Sequence, residues 1–159
     1  MKKIFILILT SLIASCSVES ETNAQGEWIK GSPSEKMEAM ERHFRGFDMA
    51  MVETGYRYQE LYWAGTDENW GYAEYQLKKI GIALKRGLER RPKRAASAKE
   101  FQSVTIPEMK AALQTKDINE FNKAFDKMTV SCMNCHVLEK VPYFIVQKPL
   151  TRQSPIRKQ

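Results

Sequence analysis

Cys132-Met133-Asn134-Cys135-His136 sets two thiols three residues apart with an imidazole directly behind them. Cys-x-x-Cys-His is the signature of covalent c-type haem attachment. The chemistry accounts for the spacing. Each sulfur adds across one vinyl group of a porphyrin, and the adjacent imidazole offers a ring nitrogen to the iron. On a helix these residues fall at i, i+3 and i+4 and share one face. Cys132 and Cys135 are therefore expected to hold one haem covalently, with His136 as its proximal iron ligand. The competing chemistry is half of a zinc site, because Cys and His also bind zinc. It needs a further ligand, and outside the motif the chain offers only Cys16 and His43 of those types.

The elements that must position the motif read as helices. Ser32-Pro33-Ser34-Glu35 is a capping box, with Ser32 as cap and Pro33 at the first helical position. Met37, Met40, Phe44, Phe47, Met51, Tyr58 and Leu61 step by threes and fours, with Thr54 filling the one gap. That pattern predicts one long first helix ending near Gly65. A second helix, from about Thr66 or Asp67, carries Trp70, Ala73, Leu77, Ile80, Leu84 and Leu88 and stops before Pro92. Residues 91 to 105, rich in Arg, Lys, Ala and Ser, are expected to form a loop, and Pro107 to open a short third helix reaching about Thr115. Asp117 caps the fourth, whose stripe is Ile118, Phe121, Phe125, Met128, Cys132 and Cys135. The two cysteines continue the core-facing side, so the haem belongs in the apolar interior near the end of the last helix. Pro142 and Pro149 bracket an apolar piece expected to run as an extended tail over residues 141–159. The fold class expected is all-α: a four-helix bundle over residues 32–140 with that tail.

The N-terminus indicates a compartment. Met1-Lys2-Lys3 precedes the apolar run Ile4 to Leu9, which reads as a secretory signal over residues 1–15. It is shorter than the roughly 20 apolar residues of a spanning helix. Its end, Leu12-Ile13-Ala14-Ser15-Cys16, resembles the lipobox of bacterial lipoproteins. The resemblance implies cleavage before Cys16, lipid on its sulfur, and anchoring on the periplasmic side of a bacterial membrane. An ordinary signal peptide with a chance cysteine is the alternative. Cysteine usage favours the lipid: of three cysteines, two hold haem and an acylated Cys16 leaves no odd thiol. Residues 16–31 are polar and read as a flexible tether, holding the domain roughly 20 Å from the membrane. Loss of Lys2 and Lys3 lowers the formal charge from +6 to +4. So mild an excess, together with export, argues against a nucleic-acid partner.

Four helices with Cys132, Cys135 and His136 late in the last one resemble the class II cytochromes c, cytochrome c′ and its low-spin relatives. More locally, Leu61-Tyr62-Trp63-Ala64-Gly65 with Asn69-Trp70, Ala73 and Tyr75 looks like a pattern of exported bacterial monohaem proteins. The class II resemblance covers about Ser32 to Lys140. The chain departs from it in Pro142, in the apolar Tyr143-Phe144-Ile145-Val146 stretch and in the short third helix. Low-spin relatives draw a distal Met from the start of the first helix, which implies Met40 or Met37 here. His43 is the other candidate distal ligand, and an open site is the third. Tyr56, Tyr58, Tyr62, Trp63, Trp70, Tyr72 and Tyr75 cluster in twenty residues as core packing or as pocket lining. Eight basic residues against Glu89 between Lys78 and Arg94 are a solvated face or a docking patch for an acidic partner.

Two function classes stand. One is a monohaem electron carrier, not an enzyme, serving a periplasmic redox partner. The other is a protein of the cytochrome c′ type that binds or detoxifies nitric oxide or carbon monoxide. A haem subunit of a larger oxidoreductase is a weaker third, and a homodimer stays open.

Overall fold

The computed structural model describes residues 28–158, so the expected signal segment, Cys16 and most of the expected tether lie outside the described residues. The chain divides into two units at Met40/Glu41. In the first, the capping box forms as expected. The Ser32 N–H donates to Glu35 Oε2 at 2.7 Å and the Glu35 N–H donates to Ser32 Oγ at 3.3 Å. The first of these bonds, with the Ser32 hydroxyl, holds the Glu35 carboxyl below its usual range. It opens α1 (Pro33–Phe44), which buries none of its residues.

The expected long first helix is corrected here. Met37 is 57 % and Phe44 67 % exposed, so the core stripe does not run through α1. Arg45 takes a left-handed φ of 60°, and the Gly46 N–H donates to Asp48 Oδ1 at 3.0 Å. That turn ends one helix and starts α2 (Phe47–Thr66). The apolar spacing runs unbroken across the turn, and spacing alone could not reveal it.

Asn69 then caps α3 (Trp70–Arg90) by accepting from the Tyr72 N–H at 3.4 Å. The expected loop over residues 91–105 is also corrected. A 3-10 turn over Pro92–Arg94 leads into α4 (Ala95–Glu100), a π-helical segment (Phe101–Thr105) and α5 (Ile106–Thr115), one continuous helical rod. Ala98, Phe101, Thr105, Met109, Ala112 and Leu113 are its buried stripe. A small residue and a hydroxyl stand where bulky apolar residues would have announced the helix. The π turn lets the Ile106 N–H reach back to the Phe101 carbonyl, one residue further than an α-helix allows. It precedes Pro107, whose missing N–H would otherwise interrupt the ladder. Lys116, at φ 54°, ends the rod. The Asp117 carboxylate accepts from the Asn119 and Glu120 N–H groups at 2.7 and 3.1 Å, opening α6 (Ile118–Leu138) as expected.

All regular structure among the described residues is helical. In the second unit α2 packs on α3, α3 on α5, α5 on α6 and α6 on α2, a closed ring of four rods. Phe121, Phe125, Leu61, Ile80, Met109, Leu113 and Met128 fill its centre. A Cβ on Gly65 would lie 2.1 Å from the Phe121 ring, so glycine lets α2 and α6 close up at that end. Buried polar pairs fix two further seams. Tyr72 Oη donates to Glu60 Oε2 at 2.7 Å between α3 and α2, and Thr105 Oγ1 to Ser131 Oγ at 2.8 Å between the π segment and α6. Burial first, then the Glu60 bond and charge, push the Tyr72 hydroxyl well above its usual range.

Residues 141–158 form neither helix nor strand. They leave α6 and lie beside α2, with residues 153–156 lining a cleft together with Met51, Val52 and Gln59. Lys148 pairs with Asp126 at 2.6 Å. Arg152 clamps Asp67 through two bonds of 2.6 and 2.7 Å and lies 4.8 Å above the Trp63 ring.

Candidate functional site

α6 is uninterrupted α-helix from its Asp117 cap through the motif, so Cys132, Cys135 and His136 fall on one face as their spacing requires. All three line one cavity of about 130 Å³. Its other walls are Phe47, Met51, Thr54, Gly55 and Tyr58 of α2, Leu84 of α3, Phe101 of the π segment, and Val146. The walls are apolar but for the thiols, the imidazole and two hydroxyls. Val146 is the one lining residue that no helix carries.

Burial raises the Cys132 thiol to about 12, with Cys135 adding to it. The Cys135 thiol is raised too, chiefly by burial and with help from Glu139, against the bond to Ser97 and the charge of Arg94. Both sulfurs are thus neutral at physiological pH and unsuited to act as free thiolates. A neutral thioether has no such difficulty in an apolar wall.

His136 is fixed from behind. Its Nδ1 lies 2.6 Å from the Phe144 carbonyl oxygen. A carbonyl only accepts, so Nδ1 carries the proton, and in the neutral ring Nε2 is left with the lone pair. An outer hydrogen bond of this kind is the arrangement usual for metal-ligating histidines. The Phe144 ring meets it edge-on with centroids 6.3 Å apart. Next door the Val146 N–H donates to Met133 Sδ at 3.0 Å.

On the α2 side, Tyr58 Oη shares a 2.7 Å hydrogen bond with Thr129 Oγ1 and reaches the Gln147 carbonyl at 3.4 Å. Burial lifts its hydroxyl to about 12. Thr54 is buried and its Oγ1 finds no partner. A Cβ on Gly55 would meet nothing within 4 Å. A mid-helix glycine costs about 0.5–1 kcal/mol relative to Ala, and no protein atom accounts for this one.

The structure brings together the three motif residues. His43 lines a different cleft, with Met49, Arg86 and Arg90. Met37 and Met40, the other candidates, belong to the first unit. Of the seven clustered aromatic residues, Tyr58 alone lines it. Met51 does too, although the spacing marks it only as core. Thr54 carried a legible signal, the single polar residue in an apolar stripe. Phe144 and Val146 carried none, because their roles depend on where residues 141–158 lie. No group of three or more His, Cys, Asp or Glu among the described residues is placed to hold a metal ion. A zinc site built on the motif therefore has no convergent ligand set there. The chain was compared with protein-family models, curated proteins and solved structures, and nothing matches in any of the three.

Proposed function

We propose that this chain is an exported, lipid-anchored c-type cytochrome of the class II kind. It carries one haem bound through Cys132 and Cys135 and serves electron transfer to a periplasmic partner. One observation carries the reading: both cysteines and His136 line a single apolar cavity, and a hydrogen bond fixes the His136 tautomer. When bound, the haem supplies a one-electron couple at iron. The residues fit such a group. Gly55 leaves room for a flat ring to approach the α2 backbone, and the apolar walls limit the water that reaches it. His136 would hold the iron through Nε2, with the Phe144 carbonyl keeping its Nδ1 proton.

A second reading, binding of a small gas at an open iron position, is favoured by the unpartnered Thr54 hydroxyl in the same cavity. Acid–acetone extraction of the protein matured with the c-type attachment machinery tests the central claim. Colour should stay with the polypeptide and give the haemochrome spectrum of two thioether links. A colourless chain that retains zinc overturns it.

A further inference from the structure

α1 buries none of its residues, yet Met37, Met40 and Phe44 fall at i, i+3 and i+7 and share one stripe along it. Met37 and Phe44 are exposed large apolar residues. Neither the buried core of the bundle nor the residues packed against that core include any from α1. A helix of 12 residues is marginal in water by itself, because nucleation is unfavourable and so few turns follow it. The capping box at Ser32 and Glu35 supplies two of the bonds that hold α1. An apolar surface under the stripe would supply what is missing.

Position in the chain selects that surface. Cys16, the proposed site of lipid attachment, precedes the exposed Trp28 by a segment that spans about 20 Å as a coil. Lipid on Cys16 therefore confines α1 beside a bilayer, at an effective concentration that a free helix lacks. Glu35, Glu38 and Glu41 against Lys36 and Arg42 leave its other sides charged but nearly balanced. Such sides stay in water while the stripe enters the interface, and they select no lipid charge.

We infer that α1 lies in the plane of the membrane that holds Cys16, with Met37, Met40 and Phe44 at the acyl boundary. Trp28 then sits at headgroup level, where aromatic residues concentrate. This rests on the lipid anchoring proposed above and adds a second contact with the same bilayer. The acyl chains keep the protein on the membrane, and α1 keeps the segment ahead of the bundle on its surface.

Hydrogen exchange read by mass spectrometry tests this on the haem-loaded, lipidated protein in vesicles of phosphatidylethanolamine and phosphatidylglycerol. The comparisons are the double variant Met37→Gln with Phe44→Gln, and a soluble form made by Cys16→Ser behind a signal without a lipobox. All three should carry equal haem. Amides of residues 37–44 should exchange about tenfold more slowly in the wild type on vesicles than in either comparison. Raised salt should change nothing, because the charges on α1 nearly cancel. Equal exchange in vesicle-bound wild type and double variant overturns the inference. So does slow exchange in the soluble form: independent of concentration it puts the bundle on the stripe, and growing with concentration it puts a second copy there. The mass of the Cys16 peptide separates this result from its basis. A lipidated chain whose α1 exchanges fast keeps the anchoring reading and loses the helix contact, and a chain without lipid loses both.

Discussion

Gly55 and His136 show how differently two residues of one site can be read. His136 declares itself through its neighbours in sequence, since no other His follows a Cys-x-x-Cys in this chain. What fixes its ring is the carbonyl of Phe144, eight residues on and outside any helix. Gly55 reads in sequence as a mere blemish in a helix. Only the structure shows that it lies exposed at the cavity's edge, where an added Cβ would meet no protein atom. That contrast yields a two-sided prediction. Gly55→Ala should stabilise the unloaded fold by about 0.5–1 kcal/mol through backbone entropy and helix propensity. Gly55→Leu should leave the helix content intact yet lower the ratio of covalent haem to protein, because its side chain takes the space proposed for the ring. Circular dichroism with denaturation and haemochrome assay separate the two effects. Equal haem content in all three proteins would remove Gly55 from the pocket.

Among the elements, α6 was the most legible, because its cap, its stripe and its motif all agree. Phe125 is fully buried, 4.7 Å from Tyr58 and 5.7 Å from Phe121 between ring centroids. Lys123 on the outer face pairs only with the exposed Glu120. Phe125→Ala should therefore cost about 3–5 kcal/mol, and Lys123→Gln no more than about 0.5 kcal/mol. Chemical denaturation measures both, and equal midpoints would contradict the packing described for α6. The α1–α2 break and the rod from Ala95 to Thr115 were not legible, for opposite reasons. In the first, an unbroken apolar period concealed a left-handed Arg45. In the second, Ala98 and Thr105 did the burying that a search for large apolar residues overlooks. Residues 141–158 lay beyond periodicity altogether, since ion pairs hold them. Arg152, through its hydrogen bond and then its charge, holds the Asp67 carboxyl below the usual carboxylate range. A group whose folded value is depressed stabilises the fold above the unfolded value of about 4, and that contribution is lost as pH falls through the folded value. Hydrogen exchange of residues 148–158 should accordingly stay slow at neutral pH and quicken in acid. Asp67→Asn should make exchange fast at both, for a loss of about 1 kcal/mol from a pair that is partly solvated. Unchanged exchange in the variant would show that the Arg152 clamp does not hold the segment.

At the scale of the whole molecule the net charge is modest, +6 for the full sequence, but its placement is uneven. Of the eight cations between Lys78 and Arg94, four have structural work, among them Arg91, which donates to the Arg90 carbonyl at 2.7 Å. Arg90 reaches the Gly46 carbonyl at 3.4 Å, Arg94 pairs with Glu139, and Lys79 sits 5.3 Å from the Tyr75 ring centroid. Lys78, Lys85, Arg86, Arg91 and Lys93 stand exposed. Arg91 and Lys93 flank Pro92, in the connection that leads to the rod carrying Phe101 at the cavity. Cations late in α3 also complement its dipole, which explains some of them without any partner. The two accounts part over range. A dipole effect is felt within one helical turn, whereas steering of a charged partner acts over a Debye length of about 10 Å at 0.1 M salt and collapses as salt rises. If the strip guides an acidic electron donor or acceptor to the proposed haem, the bimolecular rate should fall about tenfold between low and physiological salt. Lys85→Glu with Arg86→Glu should lower the low-salt rate by a similar factor and flatten the salt dependence. Lys127, which pairs with Glu108 at 3.4 Å across the α5–α6 seam, is the control, and its change to Gln should leave the rate where it was. Stopped-flow electron exchange with an acidic redox protein measures all three, and a rate indifferent to both salt and the double charge reversal would assign the strip to solvent and to the end of α3.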